Sequence, residues 1–339
     1  MIKHLLVILI LFLTIGTSSA SIYGFWEFPL SPTDYSPDWN KLTHVIYISW
    51  GEDGQGTLQK DGSLDFPPLI VNYNEVLDET HSHGKKLLIC VSSRDADTID
   101  AVLANNQDVI ADNINNMVKE YNADGVNFDF EWIRDTNSIN GLQNKILLES
   151  LLKKIDSKND CIISICVDNG VTGANKAWYN SNINQYVDSV YLCAYDYSTP
   201  WNNKYTGPNS PFNDKTRFDV VESVSLVSKY YDKNKIILGL PFYGYDFKTT
   251  SKSTGSKFQD YSYIDLKDTK TRYENIWDSK SNTPWYRYKS GRYYHQVWYD
   301  DSRSLRLKID YAKSQKLGGV GFWALGMEPK SIWKTVSYY

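Results

Sequence analysis

The sequence predicts a (β/α)8 TIM barrel with a small insertion between its seventh and eighth strands. Three observations predict it: eight short, β-rich apolar runs recur along the chain, segments of helical period separate them, and the surplus over a bare barrel falls in one place. Alternation of this kind means parallel strands joined by helical crossovers. A barrel needs about 250 residues before insertions, and the chain has 339.

The strand candidates, in order, are 22–28, 44–50, 86–92, 125–131, 161–167, 189–195, 235–240 and 319–323. Between them, apolar residues repeat at three- and four-residue steps: Ile110, Ile114, Met117 and Val118; Leu148, Leu151, Leu152 and Ile155; Leu305, Ile309 and Ala312. Gly84 and Gly318 stand where helices should end. The insertion, about 248–294, is rich in Ser, Thr, Lys and Tyr and leads into a hairpin-like stretch, WYRYKSGRYYHQVWY, turning near Ser290-Gly291. It is expected to overhang the barrel mouth. A doubly wound open sheet is the alternative, but it normally carries a glycine-rich phosphate loop after the first strand, and GFWEFPLSP has none.

A hydrophobic share of 42 % supplies a core and excludes disorder as the main state. Thirty-six Lys and Arg against 40 Asp and Glu, with no basic block, exclude a general nucleic-acid binder. The aromatic share, with 11 Trp and 26 Tyr, offers flat faces of the kind that stack on sugar rings. Residues 1–20 read as a secretory signal: Lys3 and His4, an apolar run over 5–13, then Ser18-Ser19-Ala20. That run is too short for a span of about 20 residues, so residues 21–339 are expected as one barrel, off the membrane, in a lumen or at the cell exterior. The four cysteines lie inside apolar strand-like runs and are expected as buried free thiols. Five histidines without zinc spacing, and no Walker loop, dinucleotide fingerprint or Gly-x-Ser-x-Gly elbow, leave no metal or cofactor expected.

The chemistry concentrates in Asp124-Gly125-Val126-Asn127-Phe128-Asp129-Phe130-Glu131-Trp132. Val126, Phe128 and Phe130 alternate with Asn127, Asp129 and Glu131, so the two sets face opposite ways. In a barrel the apolar set packs under helices and the polar set points inward, where a carboxylate needs a partner or hydrogen bonds. A hydrogen-bonded barrel layer is the structural alternative. Asp129 and Glu131 are roughly 7 Å apart along one strand and share a direction, which puts both on one side of a substrate. Ordinary glycosidases flank the scissile bond from two sides. Two acids on one side suit a scheme in which the substrate's own 2-acetamido oxygen attacks the anomeric carbon, Glu131 protonates the leaving oxygen and Asp129 holds the acetamido nitrogen.

The pattern Asp-Gly-x-Asn-x-Asp-x-Glu resembles the fourth-strand signature of glycoside hydrolase family 18, the chitinase-like barrels. The likeness runs along most of the mature chain. Cys193-Ala194-Tyr195-Asp196 resembles the strand-six Met-x-Tyr-Asp motif, Gly239-Leu240-Pro241-Phe242-Tyr243-Gly244-Tyr245 the strand-seven motif, and Gly318-Gly319-Val320-Gly321-Phe322-Trp323 the eighth strand. Asn127 in place of the commoner Asp, with Tyr294-His295-Gln296-Val297-Trp298-Tyr299-Asp300, is most similar to the chitobiase-like branch.

The resemblance implies a retaining glycosidase that cleaves β-1,4 N-acetylglucosamine linkages through an oxazolinium intermediate, acting on the chitobiose core of Asn-linked glycans or on chitin oligosaccharides. A wall-glycan hydrolase is the alternative enzyme, and a barrel that binds sugar without cutting it the alternative class. It implies roles residue by residue: Glu131 as general acid/base, its pKa raised by burial and by Asp129; Asp129 orienting the acetamido group; Tyr195 bonding that group through its hydroxyl; Asp196 as a mouth carboxylate; Trp323 as the floor under the sugar. Asn127 and Tyr243 are further substrate-binding candidates. Gln296, Trp298 and Tyr299 either line the cleft or pack the insertion, as does Tyr245. Asp168, Asn169 and Trp26 qualify by strand-end position alone. Two departures stand out. Ser92-Ser93-Arg94 replaces Ser-x-Gly-Gly, favouring a short substrate, and the missing charge at Asn127 should let Asp129 ionise more easily.

Overall fold

The computed structural model describes residues 20–339 apart from 28, 50–56, 65–71, 132, 135–138, 159, 172–175, 200–203, 271–272 and 337–339. Nearly all of the signal-like segment, and Trp132, thus lie outside the described residues. Eight parallel strands close a barrel: β1 (Ser21–Glu27), β2 (His44–Ile48), β3 (Lys86–Ser93), β4 (Gly125–Phe130), β5 (Ile162–Val167), β6 (Ser189–Cys193), β7 (Ile236–Pro241) and, after five strands of a second sheet, β13 (Gly319–Trp323). Closure is made by β13, which pairs with β1 through Ser21 opposite Gly319 and with β7 through Trp323 opposite Pro241. The expected fold class is thereby found.

The helices α1 (Tyr73–Ser82), α2 (Ala96–Ala104), α3 (Gln107–Glu120), α4 (Ile139–Lys158), α5 (Val220–Val227) and α6 (Ser302–Ser314) occupy crossovers. Their apolar stripes are the ones expected, with Ile114, Leu152 and Ile309 each about fully buried. Starts are chemically marked: Asp219 and Glu222 form a capping box on α5, and Asp301 and Ser304 one on α6. Gly84 takes φ +66 after α1, whereas after α6 the left-handed residue is Lys316, φ +58, ahead of Gly318.

Val126, Phe128 and Phe130 pack outward into the layer beneath the helices. A different set fills the barrel: Phe25, Ile46, Leu88, Cys90, Cys166 and Tyr191 among them. Tyr191 explains two glycines of the strand motifs. A Cβ at Gly239 would lie 2.4 Å from its ring and one at Gly321 2.3 Å, closer than any side chain tolerates.

The insertion is an antiparallel sheet in the order β10-β11-β12-β8-β9, built from β8 (Tyr243–Thr249), β9 (Phe258–Asp265), β10 (Ile276–Asp278), β11 (Thr283–Ser290) and β12 (Tyr293–Trp298). It begins directly after β7 and runs to Trp298, wider at both ends than 248–294. The hairpin read at Ser290-Gly291 is the β11–β12 pair, with Ser290 opposite Tyr293. The chain then returns to the barrel through Asp300, whose Oδ1 accepts from Lys308 Nζ at 2.5 Å and Ser304 Oγ at 2.5 Å, both ions fully buried. Removing one partner of such a pair strands the other charge. Lys308→Ala is expected to lower stability by about 3–5 kcal/mol, measured as a lower urea midpoint.

Candidate active site

The C-terminal ends of the strands open into a cavity of about 670 Å³. Barrels collect reactive side chains at this end because the loops there are free of the packing that holds the strands. Asp129, Glu131, Tyr195, Asp196, Tyr243 and Trp323 all line it, brought together from β4, β6, β7–β8 and β13.

Asp129 is the last inward residue of β4 and is 9 % exposed. Glu131 follows the strand's end, held by its N–H to the Ser93 carbonyl at 2.9 Å, and is half-buried. Burial, and after it the Glu131 charge, raises the Asp129 pKa; the Arg94 charge and then the nearby Cys166 thiol act the other way. Burial also raises Glu131, with Asp196 adding to the effect and Arg94 opposing it. The two carboxyls titrate as a pair that keeps a proton well above the ordinary carboxylate range. Desolvation and the neighbouring carboxyl thus dominate the ionisation of Asp129, and an aspartate in place of the neutral Asn127 would add a further charge against it.

Asn127 itself lies beneath the cavity rather than in it. Fully buried, it donates from Nδ2 to Ser164 Oγ at 3.0 Å and accepts at Oδ1 from Cys90 and Cys166 Sγ, each 3.4 Å away. All four cysteines are free, and the inner ones build this floor.

Tyr195 and Asp196 follow β6 on a loop that turns sharply, Asp196 having φ +63. The turn is pinned by Asn209, whose Oδ1 accepts from Asp196 N–H at 2.7 Å, and by Asn169, whose Nδ2 donates to the Tyr195 carbonyl at 2.5 Å. Asp196 Oδ1 accepts from the hydroxyls of Tyr243 and Tyr245, both at 2.5 Å. Burial raises its pKa and these two donors lower it. Burial also raises Tyr195 well above an ordinary phenol, so its hydroxyl is a neutral donor. Trp323 ends β13 half-buried, its ring 4.9 Å from Phe25, and lines the cavity.

Gln296 and Trp298 are not brought to the cavity. Both belong to β12 and point into the small sheet: Gln296 donates to the carbonyls of Ser251 and Ser253 at 3.4 and 2.8 Å, and Trp298 stacks on Trp285 at 5.2 Å. Tyr299 packs beside Tyr286, and Trp26 is fully buried with its indole N–H on the Leu30 carbonyl. Asp168 and Asn169 do line the cavity, as do residues the sequence did not single out as site residues: Arg94, Glu27, Tyr263 and Asp265. Tyr263 and Asp265 come from β9, so the insertion does contribute a wall. Among the described residues no group of three or more His, Cys, Asp or Glu is arranged to hold a metal.

The arrangement can hold one proton on a carboxyl pair in the cavity, with a neutral phenol donor and an aromatic ring on the same lining. The sequence profile described as glycosyl hydrolases family 18 matches residues 19–328. Human di-N-acetylchitobiase is 25 % identical over 279 residues, 74 % of this chain and 69 % of that protein. The cortical fragment-lytic enzyme of Bacillus subtilis (strain 168) is 23 % identical over 305 residues, 82 % of this chain but 65 % of the relative, so the chain spans a little under two thirds of it. Among solved structures, a chitinase from Rhizomucor miehei superimposes with a TM-score of 0.78 at 22 % identity, covering 93 % of this chain and 98 % of that one.

Proposed function

The chain belongs to glycosyl hydrolases family 18, and from that premise we propose that this glycoside hydrolase cleaves β-1,4 bonds beside N-acetylglucosamine with retention, the substrate supplying its own nucleophile. The observation that carries the proposal is the joint presence of Asp129 and Glu131, two residues of one chain segment, in a single cavity with Tyr195 beside them. Of the other carboxyls that line the cavity, Asp196 accepts from two tyrosine hydroxyls and Asp168 from the Tyr179 hydroxyl.

In the first step the acetamido oxygen forms a bond to the anomeric carbon as the bond to the leaving sugar breaks, and the Glu131 proton passes to the leaving oxygen. Asp129 then faces the positive oxazolinium and balances it. Tyr195 fixes the acetamido group for attack at close range, and Trp323 lies under the distorted ring. In the second step Glu131 takes a proton from water as the water displaces the acetamido oxygen, so two inversions leave the configuration unchanged.

The chitobiose core of Asn-linked glycans or a chitin oligosaccharide is the substrate read first, supported by the likeness to human di-N-acetylchitobiase. The likeness to the cortical fragment-lytic enzyme favours a wall glycan as the second reading. The signal-like segment supports a place in the secretory pathway. The test is digestion of chitobiose-core glycan, chitotetraose and peptidoglycan fragments, with the anomer of the first-formed product read by proton NMR. A β-anomer from an N-acetylglucosamine linkage is expected; an α-anomer would overturn the route.

A further inference from the structure

Arg94 stands where the chain departs from Ser-x-Gly-Gly, one residue past β3. Its Nε lies 3.3 Å from Glu131 Oε2, with the two side chains 47 % and 32 % exposed, so the pair sits where the cavity meets water. Among the described residues that line the cavity Arg94 is the one basic side chain. The other ionisable groups around Glu131 are acids or neutral donors: Asp129 from β4, Asp196, Tyr195 and the Cys193 thiol from the end of β6, and, along the lining, Glu27, Cys166, Asp168, Tyr243, Tyr263 and Asp265.

An acid surrounded by other carboxyls is easily kept protonated and reluctant to give its proton up. A guanidinium within ion-pair distance stabilises the ionised product, so it eases proton donation at the cost of some proton retention. Resting on the reading of Glu131 as the proton donor, we propose that Arg94 is a positioning residue for the chemical step: it aims the Glu131 carboxyl and stabilises the carboxylate left behind when the proton moves to the departing sugar oxygen. The short reach from the β3 loop makes this possible, and a glycine there could not do it.

The consequence depends on the leaving group. A sugar alkoxide needs its proton, whereas a nitrophenolate leaves without one. Kinetics of wild type, Arg94→Met, Arg94→Gln and Arg94→Lys are therefore to be compared on the best-cleaved natural oligosaccharide and on its nitrophenyl glycoside, across pH, with melting temperatures as the check on folding. On the oligosaccharide, kcat of Arg94→Met and Arg94→Gln is expected to fall about tenfold to hundredfold with KM little changed, and the alkaline limb to move up by about one pH unit, since Glu131 then holds its proton more tightly. Arg94→Lys should recover most of the loss. On the nitrophenyl glycoside the defect should nearly vanish. Equal losses on both substrates, an alkaline limb superimposable on wild type, or a rise in KM alone would overturn the inference. Glu131→Gln, assayed in parallel, separates the two readings: full activity there sinks the donor assignment, while an inactive Glu131→Gln beside an unchanged Arg94→Met sinks this inference only.

Discussion

Replacing Glu131 by Gln is expected to lower kcat on an N-acetylglucosamine oligosaccharide by about 10³-fold, within the 10²–10⁴ range that a positioned acid/base contributes. The expected loss corresponds to about 4 kcal/mol of transition-state stabilisation. The amide keeps the size of the side chain and an oxygen that can accept from Arg94, losing the charge of the ion pair rather than a wall, so substrate binding should survive; calorimetric titration with an uncleaved oligosaccharide checks that. The pH profile gives the sharper test. Asp129 is pushed up to about 8 by burial and by its partner carboxyl, so the pair still holds a proton at neutral pH. Activity in the wild type should therefore fall as pH rises through the region of about 8, where that proton is lost. Glu131→Gln, having no proton to deliver, should lose this limb together with its rate, and a wild-type limb in the variant would contradict the assignment.

Asp129→Asn is expected to lower kcat by about 10²–10³-fold, the size of effect seen when one charge-stabilising group is removed from a developing ionic intermediate. The amide keeps the shape of the side chain, but it brings no negative charge to the oxazolinium and turns a donor toward a group that should be held by an acceptor. Two further readouts separate chemistry from folding. With the second carboxyl gone, Glu131 should ionise at lower pH, moving the alkaline limb down, opposite to the shift expected for Arg94→Met. Stability should not suffer. A carboxyl whose pKa in the folded chain is raised from 3.8 to about 8 favours folding less and less as pH climbs between those values, and an amide escapes that penalty. The variant is thus expected to melt no lower than wild type at mildly alkaline pH. A near-normal rate with a normal fold would remove Asp129 from the mechanism.

The fourth strand could be read because its meaning is local. A period of two separates Val126, Phe128 and Phe130 from Asn127, Asp129 and Glu131 whatever the rest of the chain does, and the structure turns the first set outward under the helices. The stripes of α3, α4 and α6 were readable for the same reason, at their own period. What the alternation does not state is depth. Asn127 shares the inward face with Asp129 yet lies one pleat lower, where Ser164, Cys90 and Cys166 close over it. Depth along a barrel axis depends on how strands are staggered, and stagger belongs to the closed sheet.

The insertion shows the same limit from another side. Its hairpin was visible as two aromatic runs around Ser290-Gly291, but which face of the small sheet meets the barrel follows from how the two bodies dock. Docking turned Gln296 and Trp298 inward and sent Tyr263 and Asp265, on a strand with no distinguishing motif, to the cavity wall. Asn209, which pins the Asp196 turn, is a single residue in a long loop and carries no pattern at all.

Amino-acid order alone thus specified the alternating strands and helices and the carboxyl pair at the end of β4, since each follows from a repeat or spacing within a few neighbours, whereas the motif residues at other strand ends were legible through the resemblance to family 18. Three-dimensional closure settled the membership of the cavity, the pairing of Arg94 with Glu131 and the depth of every inward residue. Those properties arise between segments far apart in the chain, where packing and desolvation act and local periodicity carries no information.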